Sequence, residues 1–290
     1  MTRNDASRQT TDRVWAALGE QARSVLTEQL SPTDLQTLLL DLVRTRAGRV
    51  DPARLVRRWT DDRFVTPAAV DPRRHAALVA RAWALLPSEF VGVELAPVTP
   101  LGTCAAVAEV DQHRIVSTVR GSEVLSDPTN VLALEAAVRR RNGPGDVHLA
   151  AHHRVLRAQR FAPGAANHFS LLALVSSGRD RGSQVTELDF LSRHLDAWRT
   201  LLTPSLGPAG FTVTYTEGAP YYAGLRFKIM AETDDGAVEI GDGGLTDWTA
   251  KLRADAKERC LISCVATERW LGLLAPASAE EAAQHVEDGA

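Results

Sequence analysis

The chain has 290 residues, 44% of them hydrophobic and 24% charged, and a formal net charge of -3 at neutral pH. That length suits one large domain or two modest ones, and the even charge balance excludes a general attraction to nucleic acid or to an anionic membrane. Three cysteines, Cys104, Cys260 and Cys264, exclude a disulfide scaffold, and no further Cys or His beside Cys260 and Cys264 has metal-ligand spacing. The polar start MTRNDASRQTTDR lacks the apolar core of a signal peptide, and no apolar run approaches the ~20 residues needed to cross a bilayer. A cytoplasmic, reduced location is expected, with no membrane partner.

In chain order, residues 1 to about 10 are polar and unpatterned and are expected to be disordered. From Thr11 to Leu30, apolar residues such as Val14, Leu18, Val25 and Leu26 recur at a helical period. Ser31-Pro32-Thr33-Asp34 is a helix start, with Ser as N-cap and Pro at the first helical position. Asp51-Pro52 and Asp71-Pro72 repeat that signal, so residues 1–86 read as a helical N-terminal segment. At Pro87 the period changes to alternation. Phe90 to Pro97 reads as a strand, and Arg114–Val119 with Glu123–Ser126 reads as a hairpin turning at Arg120-Gly121-Ser122. Pro128-Thr129 opens a helix that Asn142-Gly143 ends. Strands are expected at Val147–Leu156, His168–Ser176 and Phe211–Tyr215, with an amphipathic helix at Val185–Leu202. From Tyr221 to Leu274 the pattern is strand, acidic turn, strand, Gly-rich loop, helical piece, strand, helix. Hairpin-linked strands with helices set around them indicate an α+β antiparallel sheet over residues 87–276. The acidic, Ala-rich residues 277–290 read as a flexible tail.

Six segments carry more than fold. Glu89–Pro97 resembles motif 1 of the class II aminoacyl-tRNA synthetases, the dimer-forming element. Leu125-Ser126-Asp127-Pro128-Thr129 resembles the histidyl branch's Arg-Pro-Glu-Gly-Thr turn. His153-Arg154, with Gly164 and Phe169, resembles motif 2. Ala219-Pro220-Tyr221-Tyr222-Ala223-Gly224 and Gly243-Gly244-Leu245-Thr246-Asp247 resemble two further histidyl segments. Thr267-Glu268-Arg269 resembles motif 3. The resemblance implies a class II synthetase-like core close to the histidyl-tRNA synthetase and ATP phosphoribosyltransferase regulatory-subunit branch. It implies ATP bound by Arg154, Phe169 and Arg269, with Arg154 and Arg269 as the catalytic cations, and Mg²⁺ carried on the triphosphate. It implies an amino group held by Asp127 and Thr129, and a substrate pocket shared by Leu171, Val175, Tyr221 and Tyr222. Asp127-Pro128-Thr129 is equally a plain helix start, so both readings of that turn stand.

The departures are specific. The glutamate that reads adenine in the family aligns with Leu156. The Gln and Glu that hold the imidazole align with Leu171 and Val175, and the catalytic Arg before the Tyr pair aligns with Glu217. Charging of tRNA with histidine is therefore not expected. Two readings follow: an enzyme that activates an amino acid or carboxylate with ATP in small-molecule or carrier metabolism, or a silent paralogue that regulates a partner enzyme. A homodimer is expected of either.

Overall fold

The computed structural model describes residues 3–159, 161, 166–217 and 221–274. By internal contacts the chain divides into Met1–Asp61 with Ser117–Ser122, and Asp62–Val116 with Glu123–Ala290. Gly164, Ala219, Pro220 and the 277–290 tail, all named above, lie outside the described residues.

The first unit contains α1 (Arg3–Leu18), α2 (Glu20–Ser24), a π-helical turn (Val25–Gln29), α3 (Pro32–Ala47) and α4 (Pro52–Asp61). Helix α1 already runs through residues expected to be unstructured. Gly19, at φ +87°, separates α1 from α2 in a conformation that favours glycine. Ser31 caps α3 as its sequence implies: its hydroxyl accepts from the Asp34 amide at 3.1 Å and donates to the Asp34 carboxylate at 2.7 Å. No residue of α2, α3 or α4 is buried.

The second unit is built on a seven-stranded sheet of order β1-β4-β5-β9-β8-β7-β6. The strands are β1 (Val91–Gly92), β4 (Val147–Leu156), β5 (His168–Arg179), β6 (Phe211–Thr216), β7 (Arg226–Ala231), β8 (Val238–Thr246) and β9 (Glu258–Ala266). All pairings are antiparallel except β1 with β4. A separate pair joins β2 (Val98–Pro100) to β3 (Ser122–Val124). The helices are α5 (Pro72–Leu85), α6 (Thr103–Ala108), α7 (Pro128–Arg141), α8 (Val185–Leu206), α9 (Trp248–Arg253) and α10 (Thr267–Gly272). Among the described residues no helix is long and apolar enough to cross a membrane.

Strand alternation sends successive residues to opposite faces. On one face Ala150, Leu172, Leu174, Leu261 and Val265 pack with Leu78 and Ala82 of α5, Trp198 of α8 and Trp270 of α10. On the other, Leu149, Ala151, Ala173, Val175 and Ile262 pack with Leu132, Ala133 and Ala136 of α7 and with Trp248 of α9. Helix α5 thus belongs to the sheet's own core, although its start signal reads like those of the helices before it.

Two expected elements are shorter than their patterns. The Phe90–Pro97 strand is in register with β4 at Val91 and Gly92, with the Val93 amide donating to the Ala150 carbonyl at 2.8 Å, and by Pro97 the chain has left the sheet, its carbonyl accepting from the Leu125 amide at 3.1 Å. The hairpin's first arm begins as a 3₁₀ turn at Gln112–Arg114, and Gly121 makes the reversal at φ +67°. The Gly-rich loop is strand: Gly243 and Gly244 sit inside β8. A Cβ on Gly244 would lie 2.7 Å from the Tyr222 ring, so glycine there lets the tyrosine lie flat on the strand.

Candidate functional site

A polar cavity of about 220 Å³ opens at the N-terminus of α7, above the α7–α9 face of the sheet. Asp127 caps that helix. Its Oδ1 accepts from the Thr129 amide at 2.9 Å and from the Thr129 hydroxyl at 2.7 Å. Its Oδ2 is 3.4 Å from an Arg157 terminal nitrogen. Arg157 leaves the end of β4, donates from Nε to the Ser126 carbonyl at 2.9 Å and stacks 5.1 Å from the Phe169 ring centre. Asn167 staples this turn, its amide nitrogen donating to the carbonyls of Arg157 and Gln159, each at 2.6 Å. Asn130, one turn into α7, is 2% exposed and donates to the Cys104 sulfur at 3.2 Å. Its Oδ1, and the indole nitrogen of Trp248, have no hydrogen-bond partner. Both residues line the cavity, with Arg114, Gln159 and Tyr221. Buried polar atoms are almost always paired, so two such orphans beside one cavity are unusual, although neither atom is itself exposed to that space.

Two tyrosines form the adjoining wall. Their rings lie 4.5 Å apart, and Tyr221 lies 5.9 Å from Trp248. Tyr222 donates to Asp242 at 3.1 Å, and Arg226 pairs with the same carboxylate at 2.9 Å. Burial, reinforced by Asp242 and Asp127, pushes the Tyr221 phenol up to about 12; burial and Asp242 push Tyr222 up further. Both therefore stay protonated and act as hydrogen-bond donors. Cys264, opposite Asp242 in the β8–β9 register, is a floor residue whose thiol burial raises well above the ordinary range.

No protein-family model matches the sequence, and no curated protein matches it. Solved structures do match. The pyrrolysyl-tRNA synthetase of Desulfitobacterium hafniense superposes with a TM-score of 0.53 at 14% identity, covering 68% of this chain and 68% of that one. The ATP phosphoribosyltransferase regulatory subunit/histidyl-tRNA synthetase of Bacillus halodurans C superposes at 0.57 and 9%, covering 73% and 82%. The fold is class II synthetase-like. At such identities the likeness is one of fold alone, so the site must be read from its own residues.

In this synthetase-like core the expected residues divide. Asp127 and Tyr221 line the cavity, and Arg157 of its wall stacks on Phe169. Thr129 is buried and spends its hydroxyl on Asp127. Tyr222 supports Tyr221 from behind. Leu171 and Val175 are 4% and 0% exposed and belong to the core beneath, outside the cavity lining, so they cannot serve as its specificity wall. Arg154 is elsewhere. Leu149, Ala151 and Val155 of β4 point toward α7, so Arg154, out of phase with them, emerges on the opposite face, where it pairs with Glu268 at 2.5 Å and meets His168 at 2.9 Å. Arg269 is exposed and donates to the Glu239 carbonyl at 2.6 Å.

Arg157, three residues later, lines the cavity where Arg154 does not, with Gln159 two residues beyond it in the same lining. The signal that could have found it is phase: in a strand whose Ala151 and Val155 face the core under α7, an arginine in that series falls at 157 and not at 154. Arg114, Asn130 and Trp248 carried no sequence signal; tertiary folding alone gathers them.

Proposed function

We propose that the chain activates an amino acid with ATP. The supporting observation is the cavity at the start of α7, where a carboxylate (Asp127), a guanidinium (Arg157) and an unpaired amide oxygen (Asn130) converge. That set complements a zwitterion: Asp127 and Asn130 accept from the ammonium group, and Arg157 grips an anion in a planar fork. At about 220 Å³ the space is below the roughly 300–1,000 Å³ of drug-sized pockets, which suits one small molecule. The amino acid's carboxylate oxygen would form a bond to the α-phosphorus of ATP while the bond from that phosphorus to the bridging oxygen breaks. The bonding pair leaves with pyrophosphate. The chain's part is positioning and charge stabilisation: Arg157 on the α-phosphate, Phe169 and Phe161 as the aromatic surface beside it, and the Tyr221 hydroxyl as a neutral donor. Among the described residues no group of three or more His, Cys, Asp or Glu could hold a metal, so Mg²⁺ would come bound to the triphosphate. The acceptor of the activated acid would be a small molecule or a carrier, in the cytoplasm, and the chain would act as a homodimer.

One set of observations favours a second reading, that of a silent regulator of a partner enzyme. Arg154 and Arg269 are both committed to intramolecular partners, and the Bacillus halodurans structure bears a regulatory subunit's name. A pyrophosphate-exchange screen across the amino acids, with ATP binding followed by calorimetry, separates the two. Exchange with any amino acid supports the enzyme. Amino-acid binding with neither exchange nor ATP binding supports the regulator.

A further inference from the structure

The charges around the cavity do not cancel, and on the reading that it binds an amino acid, this imbalance names the class. Among the described residues the cavity is lined by two arginines, the solvent-exposed Arg114 and the half-buried Arg157, and by one carboxylate residue, Asp127. Of the carboxylates behind the wall, Asp242 is matched by Arg226 at 2.9 Å, and the buried Glu123 is held by the Gly102 and Cys104 amides and the Gln112 side chain at 2.8–2.9 Å. Arg157 is already engaged by Asp127 and by the Ser126 carbonyl. Arg114 makes no hydrogen bond or ion pair with its side chain among the described residues. Its main chain is fixed, however: its carbonyl accepts from the Ala158 amide at 2.8 Å, which ties it beside the turn that carries Arg157 and Gln159. Asp111 on the same turn feels its field, but that carboxylate is held by the His113 amide and ring, at 3.0 and 3.1 Å, and is not part of the cavity wall.

A neutral amino acid brings one ammonium and one carboxylate. The first is met by Asp127, with Asn130 beside it, and the second by Arg157, which in the proposed reaction holds the α-carboxylate together with the α-phosphate it attacks. Arg114 is left unmatched. An acidic amino acid brings a second carboxylate and closes the balance. We propose that the cavity takes an acidic amino acid, aspartate or glutamate in type, and that Arg114 selects its side-chain carboxylate.

The test is calorimetric binding of L-aspartate, L-glutamate, L-asparagine, L-glutamine, L-histidine and L-leucine to the full chain at pH 7.5, repeated on Arg114→Gln and Arg114→Lys. One of the acids should bind at least tenfold more tightly than its own amide. R114Q should close that gap, and R114K, which keeps the charge, should retain part of it. Amides or neutral amino acids binding as well as the acids would overturn the inference while leaving the amino-acid reading standing. A gap that survives in R114Q would overturn the role of Arg114. Binding of none of the six would remove the amino-acid reading itself, and this inference with it.

Discussion

Arg154 and Arg157 stand three residues apart at the end of one strand and belong to opposite faces of one sheet. The face under α7 and α9 carries the cavity, and beside it lie an amide oxygen and an indole nitrogen that have no hydrogen-bond partner among the described residues. The face under α5 and α10 carries a wider, mostly apolar cavity of about 500 Å³ beside His75, His152 and Arg154, and the polar groups there are bonded to one another. There the buried Thr267 hydroxyl donates to the Ser170 carbonyl at 3.3 Å and lies 2.8 Å from His75 Nε2 and 3.2 Å from His152 Nε2. A hydroxyl has one proton, so both imidazoles must donate to it. Glu268 takes Arg154 and the Ser170 hydroxyl together. A group already satisfied within the fold has little to offer a ligand; an unsatisfied one has been paid for and awaits a partner. By that criterion the α7 face is the one we propose as the site.

The largest effect expected of that distinction is on ATP. Arg157→Ala should remove about 2–5 kcal/mol of interaction with a desolvated phosphate, read as ATP affinity by calorimetry or as loss of pyrophosphate exchange. Arg154→Ala should leave both unchanged, because its partly exposed pair with Glu268 contributes only about 0–1 kcal/mol, and to stability alone. The reverse outcome, with Arg154 essential and Arg157 dispensable, would exchange the roles assigned to the two faces.

Acid should act on the closed face first. Burial, then the neighbouring His75 and Arg154 charges, lowers the His152 pKa to about 4, and burial lowers His75 as well. His148 and the fully enclosed His194, linked through the Ser176 hydroxyl at 2.7 and 2.9 Å on the same side of the sheet, are shifted in the same direction. Above pH 6.5 these rings are neutral folded or unfolded, and stability does not depend on them. Below 6.5 the unfolded chain takes up protons that the fold refuses, so stability falls as pH falls toward about 4. The His152 shift alone corresponds to a loss on the order of 3 kcal/mol. Denaturant melts at pH 7.5, 6 and 5 measure this; a flat profile would mean the rings are already solvated.

A smaller effect belongs to the hub of that network. Thr267→Val keeps the shape and removes the oxygen, leaving two imidazole N–H groups without an acceptor, at a cost of roughly 1–3 kcal/mol. A thermal melt reads it directly. Amino-acid binding at the cavity should not follow, since no residue of the cavity wall touches Thr267 through a hydrogen bond.

Legibility in the sequence followed the same division. The main strands and helices of the sheet were readable because each carries its own period and its own cap: Asp127-Pro128 starts α7, Val147–Leu156 is β4 to the residue, and Glu268-Arg269 follows a buried strand into α10. The class II order of segments was readable because it depends on sequence order. Which arginine lines the cavity was not, because a motif matched by residue type is blind to strand phase, and a slip of an odd number of positions exchanges the faces. Leu171 and Val175 illustrate the same limit. Alignment assigns them the place of a substrate wall, yet packing by Val155 and Leu125 around one, and by Leu149 and Ala173 around the other, closes them into the core.

The finest test concerns Asp127, which serves both the fold and the site. One oxygen holds the start of α7 and the other faces Arg157. Asp127→Asn keeps an oxygen for the Thr129 amide and hydroxyl, and Asn caps helices as well as Asp does. Only the carboxylate charge opposite Arg157 is lost, across a 3.4 Å contact that is partly exposed and therefore weak. The melting free energy should stay within about 0.5 kcal/mol of the parent's. Affinity for an amino-acid ligand should fall by roughly 1.5–3 kcal/mol, the range for a hydrogen bond to a charged group. A drop in stability with unchanged affinity would make Asp127 a cap and nothing more, and would move the ammonium site to Asn130. A drop in affinity at constant stability would divide the two duties of this residue between its two oxygens.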